Sequence, residues 1–167
     1  MLNRFQATKP RFEEPILVEV VVEIPRGSFL KRGSAGSLDF VSPFPCPFNY
    51  GSIPQLLGVE GDLLDAIVLG RKLAPGTRLR VPARAAIGLA DRFMYDDKLV
   101  CSADPLTPLQ ESGVLFFMNC YAGLKAVLNR LRGARGPTFC TGWEPLSAAM
   151  SRAQPVPEDW SGPPVAF

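Results

Sequence analysis

The chain contains no histidine. That excludes a Ser-His-Asp triad, a histidine general base and the histidine-rich zinc centres. It also has no apolar run of about 18 residues, so no transmembrane helix is expected. Its polar start, Met1 to Glu14, lacks the apolar centre of a secretory signal, which points to a cytoplasmic address. Charge of neither sign prevails: 18 Lys and Arg face 16 Asp and Glu, a net charge of +2. Broad binding to nucleic acid or to an anionic membrane is therefore not expected. Cysteine is sparse, with four residues at 46, 101, 120 and 140 and no C-x-x-C pair. This spacing suits neither a zinc finger nor a redox motif, and reduced thiols are expected. Cys46, between Pro45 and Pro47, reads as a buried loop anchor.

What is present is apolar and β-branched. Hydrophobic residues make up 47% of 167 residues, enough for the core of one domain spanning 1–167. Charged residues at 20% are few enough to suit a homo-oligomer that buries extra surface. The first two thirds read as strands: Ile16 to Ile24, Leu38 to Val41, Leu64 to Gly70, Arg78 to Ala86, Ala85 to Ala90 and Leu99 to Ser102. Gly- and Pro-rich stretches between them indicate turns. The last third changes period. Apolar residues at 114, 117, 121, 124 and 128 predict a helix from Gly113 to Leu131, closed by Arg130, Arg132 and Gly133. A second short helix is expected from about Pro145 to Arg152, with an irregular tail over 155–167. Strands followed by helices indicate an α+β fold, most simply a small closed antiparallel barrel of about five strands with two C-terminal helices packed outside.

The acidic residues are unusual in their placing. Glu60, Asp62 and Asp65 fall within six residues at the entry to a strand, and Asp91 and Asp96 follow in a polar loop, with Lys98 two residues on. Taken singly, an Asp in a loop is a turn residue and a Lys is a solvated charge. Together, carboxylates beside apolar strands are costly unless paired or metal-bound. Carboxylates without histidine favour hard cations such as Mg²⁺ or Mn²⁺, which usually work on phosphates. Glu23, at the end of the first strand, can join the set, and two or more ions can be held. Lys31, Lys98, Tyr50 and Tyr121 are candidate phosphate contacts.

These residues carry a family resemblance. Val22-Glu23-Ile24-Pro25 with Lys31 comes first. Pro47 to Ile53 and then Glu60-Gly61-Asp62-Leu63-Leu64-Asp65-Ala66 come second. Asp91, Asp96 and Lys98-Leu99-Val100 come third, followed by Phe116-Phe117, Tyr121 and Gly142-Trp143. In that order, over roughly 16–150, the chain resembles the soluble family I inorganic pyrophosphatases, as a divergent member. The resemblance implies an OB-like barrel and metal-dependent hydrolysis of pyrophosphate by in-line attack of water. It implies that Asp65 bridges two metals and that Asp62 holds the attacking water and takes its proton. Glu60, Asp91 and Asp96 would complete the metal shell, and Glu23 would act on the phosphate side. Lys31 and Tyr121 would bind phosphate, Tyr50 would bond near the metal-held water, and Lys98 would steady the acids.

The chain departs from the family pattern in places. Glu60 stands where the family has Asp, Leu63 where it has Pro or Glu, and Gly33 where it has Glu. Ser42 and Pro43 replace an arginine, and Ala122 replaces a lysine. Each lost charge-assisted contact is worth about 1.5–3 kcal/mol, so two amount to about 10²–10⁴ in rate if nothing replaces them. Arg92, Arg32 and Lys125 are the candidate replacements, Lys125 because i and i+3 share a helix face. Two other readings stay open: hydrolysis of another phosphoanhydride or phosphate ester, and a non-catalytic protein that binds metal or phosphate.

Overall fold

The β-branched run at the start forms β1 (Ile16–Ile24), the first stave of the barrel. The structure, a computed structural model, describes residues 13–32, 38–41 and 44–162, with side chains described outside 30–32 and 38–41. After β1 come β2 (Leu30–Arg32), β3 (Leu38–Val41), β4 (Asn49–Leu57), β5 (Leu63–Val68), β6 (Arg78–Asp91), β7 (Met94–Tyr95) and β8 (Lys98–Cys101). Then follow α1 (Pro108–Leu131), β9 (Thr138–Glu144), α2 (Leu146–Arg152) and β10 (Gln154–Pro155). The expected tail thus begins with a two-residue strand that pairs β4.

Five strands close a ring in the order β1-β4-β5-β8-β6 and back to β1. The closed barrel with helices agrees with the expected α+β class, with one amendment. The pair β5–β8 is parallel, so the barrel is mixed and not wholly antiparallel. The two expected strands over 78–90 are one strand of 14 residues. It is long because it serves three partners in turn: β1 through Arg78–Ala83, β8 through Ala83–Ile87 and β9 through Ala86–Asp91.

β4 runs through a stretch whose Gly and Pro suggest turns. Gly51 is required there because β1 crosses so closely that a Cβ would lie 2.0 Å from the Val21 carbonyl oxygen. Pro54 falls where the β4–β5 register shifts, which frees it from ladder bonding.

Strand alternation sorts two cores. One face gives Val18, Val20, Ile53, Leu64, Ala66, Val68, Val81, Ala83, Ala86, Leu99 and Cys101, drawn from all five strands, and fills the barrel. Leu146 and Ala149 of α2 pack against it. The opposite face gives Tyr50, Ile67, Ile87, Leu89 and Val100, and α1 covers it with Val114, Met118 and Ala122. The helix is therefore turned slightly from the expected stripe: residues 114, 118 and 122 are buried, and Tyr121 and Phe117 pack at the margin. Cys46 is buried, and all four cysteines are free. Among the described residues, no helix is long and apolar enough to cross a membrane.

Candidate active site

The site grows from strand register. On the parallel pair, Asp65 of β5 lies opposite Lys98 of β8. On the other side of β5, Ser52 of β4 lies opposite Asp65, with Tyr50 two residues away on the same face. Alternation carries Tyr50, Asp65 and Lys98 to the outer face of the barrel, at the margin of the core beneath α1. Lys98 is fully buried, and an ammonium there is costly without partners. Its Nζ donates to Asp65 Oδ2 at 2.5 Å and to Asp96 Oδ1. Burial opposes its charge, yet Asp65 and Asp96 hold its pKa well above the ordinary lysine value. Tyr50 Oη donates to the same Asp65 Oδ2 at 2.5 Å. Burial and then the Asp65 charge push the Tyr50 phenol far up, so it stays a donor.

Asp96 precedes Lys98 by two residues and shares its side of the chain. Glu60 arrives from the turn before β5. Gly61 has φ +85°, a left-handed value that reverses the chain between Glu60 and Asp62. Glu60 is half-buried after this reversal, whereas Asp62 is exposed. One carboxylate oxygen each of Glu60, Asp65 and Asp96 lies within 4.8 Å of the others, while Asp62 is exposed and outside that group. Burial, then the Asp96 and Asp65 charges, push the Glu60 carboxyl up to about 8 against the pull of Lys98. The donor set is all hard oxygen and its negative charge is underbalanced, which fits a hard divalent cation.

Asp91, the last residue of β6, is 5% exposed and fully engaged. It accepts from Asn129 at 2.8 Å and Thr138 at 2.9 Å, and Lys125 Nζ lies 2.9 Å from its Oδ2. Burial raises its pKa, but Lys125, Thr138 and Asn129 outweigh that and hold it below the usual value. Lys125 also reaches Asp96 Oδ2 at 3.4 Å, joining Asp91 to the three-carboxylate group.

The other expected residues are more scattered. Glu23, half-buried on β1, accepts from Ser52 Oγ at 2.8 Å. Tyr121 sits one helical turn before Lys125, whose Nζ lies 6.0 Å from its ring. Arg92 is half-exposed with Nε 3.7 Å from Asp91 Oδ2. Ala122 is buried against the barrel, so that position offers no charge. The side chains of Lys31 and Arg32 lie outside the described residues, as do Ser42 and Pro43.

One charged group was not foreseen. Asp97 turns away from Asp96 and Lys98 and meets Arg152 of α2, whose Nε is 2.7 Å from Asp97 Oδ2. Arg152 Nη2 donates to Glu144 Oε2 at 2.6 Å, and its guanidinium lies over the Tyr95 ring at 4.4 Å. Burial raises the Glu144 pKa, Arg152 opposes this, and the neighbouring Asp97 carboxylate adds to the rise. Arg152 and Asp97 line one cleft with Glu60, Asp65 and Asp96. The available signal was the Asp96-Asp97 pair, two adjacent acids just before an apolar strand, each of which needs its own partner.

Comparison with known proteins bears on this arrangement. The family model described as inorganic pyrophosphatase matches residues 20–112, more than half of the chain. The chain belongs to the inorganic pyrophosphatase family. An inorganic pyrophosphatase of Haemophilus influenzae is 40% identical over 93 residues, covering 51% of this chain and 53% of that protein. One from Aquifex pyrophilus is 35% identical over 99 residues, covering 54% of this chain and 56% of its own. The chain thus spans about half the length of the curated relatives it matches. The crystal structure of an inorganic pyrophosphatase from Neisseria gonorrhoeae superposes with a TM-score of 0.64 at 28% identity, covering 87% of this chain and 92% of that one. That from Thermus thermophilus, at 24% identity and TM-score 0.65, shares the fold. The pyrophosphatase match takes in Glu23, Tyr50, the acids from Glu60 to Asp96 and Lys98. Tyr121, Lys125 and Arg152 lie beyond it.

Proposed function

We propose that this chain hydrolyses inorganic pyrophosphate to two phosphates with the help of divalent metal, Mg²⁺ or Mn²⁺, at two or more ions per site. The observation that carries this reading is the meeting of Glu60, Asp65 and Asp96 within 4.8 Å over the buried Lys98, in a chain of this family. Glu60, Asp65 and Asp96 would hold metal, with Asp91, Asp62 and Glu23 completing its surroundings. Bound metal would neutralise phosphate charge and acidify a coordinated water.

The protein's own groups do the rest. Lys98 keeps Asp65 and Asp96 together at a separation their mutual repulsion would otherwise widen. Tyr50 fixes the Asp65 carboxylate through its 2.5 Å bond. Asp62, exposed two residues after Glu60, would accept the proton of the attacking water. Lys31, Tyr121 and Arg92 bind the phosphate oxygens, so that positioning and charge neutralisation supply most of the rate. The substrate is a small molecule, with neither nucleic acid nor membrane as partner. Free thiols at all four cysteines support a cytoplasmic setting, and an outward apolar line on α1 supports a homo-oligomer.

Phosphate release from pyrophosphate, measured with Mg²⁺ and with Mn²⁺, tests the reading against Asp62→Asn. Metal-dependent release that falls at least about 10²-fold in the variant is expected of a lost general base. Equal release from both proteins removes Asp62 from that role, and no release from either removes the hydrolase reading.

A further inference from the structure

The buried line of α1 runs Val114, Met118, Ala122, and the next residue on that face is Lys125. Its stem therefore leaves the core at the site and its Nζ lies between two carboxylates, 2.9 Å from Asp91 Oδ2 and 3.4 Å from Asp96 Oδ2. These acids come from different segments, the end of β6 and the residue pair before β8, and only a cation between them makes their approach favourable. Among the described residues, the two lysine side chains at the site, Lys98 and Lys125, differ in kind. Lys98 is fully buried and tied to Asp65 and Asp96. Lys125 is one-quarter exposed on a long stem, and the ring of Tyr121 lies one turn back along the helix. Asp96 is shared: it belongs both to the three-carboxylate group and to the Lys125 bridge. Whatever cation the three-carboxylate group accepts competes with Lys125 for the same residue.

We infer that Lys125 is a tethered cation with two stations, the Asp91–Asp96 pair in the metal-free protein and the phosphate of the ligand once those carboxylates are engaged. In the second station it supplies the positive charge that Ala122 lacks. This inference rests on the metal-dependent phosphate site proposed above.

Isothermal titration of the metal-free protein with Mn²⁺, then of the Mn²⁺-saturated protein with inorganic phosphate, tests it in wild type and Lys125→Met. The methionine keeps length and apolar stem but loses the charge. Removing a competing cation should tighten Mn²⁺ binding about tenfold, and removing a charge-assisted contact should weaken phosphate binding about tenfold. Lys125→Arg, which keeps the charge, should stay nearer wild type in both. Should Lys125→Met not fold by circular dichroism, Lys125→Gln carries the same test. Mn²⁺ affinity equal to or below that of wild type, or unchanged phosphate affinity, overturns the inference. Neither titration measures turnover. Both shifts without pyrophosphate hydrolysis would keep the role of Lys125 and remove the hydrolase reading. Hydrolysis with both affinities unchanged would do the reverse.

Discussion

Glu60 takes on its chemistry from its neighbours. Half-buried beside Asp96 and Asp65, its carboxyl titrates near 8 in the folded metal-free protein and near 4.5 when unfolded. The folded state therefore binds the proton more tightly. Its stabilising contribution is fully present below pH 4.5 and is lost as pH rises through 8. Melting temperatures of metal-free protein should fall between pH 6 and pH 9 by more in wild type than in Glu60→Gln, which has no proton to lose. Parallel pH curves for the two proteins would mean that Glu60 does not carry the strain. At this scale the sequence was informative where charge stood in an apolar setting. Acids beside strands need partners, and Tyr50, Asp65, Asp96 and Lys98 do come together. Their register was not legible, because strand pairing across 33 residues leaves no local mark. For the same reason the Arg152 bridge to Asp97 and Glu144 went unseen.

The elements that position these residues follow from local chemistry where local chemistry is strong. β1 and β3 occupy their expected residues because β-branched and apolar runs end at breakers. α1 begins five residues before the expected Gly113, at Pro108. The signal lay in Thr107-Pro108-Leu109-Gln110: Thr107 accepts from the Gln110 backbone, the Gln110 side chain returns a bond, and Pro fits the first turn. A capping box of this kind outweighs the interruption at Gly113. Thr107→Ala should cost about 1 kcal/mol in urea unfolding. It should leave phosphate release unchanged below the transition, since the cap lies more than three turns from Tyr121. A loss of activity in the folded variant would mean that the start of the helix is coupled to the site. β4 was not legible, because its glycine is selected by a crossing strand and its proline by a register shift, both tertiary facts.

At the scale of the molecule, a barrel with one long helix leaves a face without a partner among the described residues. α1 has 24 residues and buries one side on the barrel. On the other side Leu109, Phe116, Val127 and Leu131 are 83%, 73%, 57% and 79% exposed. Their spacings of seven, eleven and four set them in one line along a helix about 36 Å long. Scattered exposed apolar residues need no explanation, but a line of four on one helix is a surface that water does not favour. A second copy of the chain offers the same line in return, as a two-fold interface requires. Sedimentation velocity should give a mass that is a multiple of 18.2 kDa for the wild type and that shifts toward one chain for Phe116→Glu. Phe116 is exposed and outside the site, so the variant should keep the fold, and circular dichroism would check that. A wild type that sediments as a single chain at micromolar concentration would reject assembly through this face. If Phe116→Glu dissociates the assembly yet still releases phosphate, each barrel holds a complete site. If activity falls with dissociation, the neighbour steadies α1, and with it Tyr121 and Lys125.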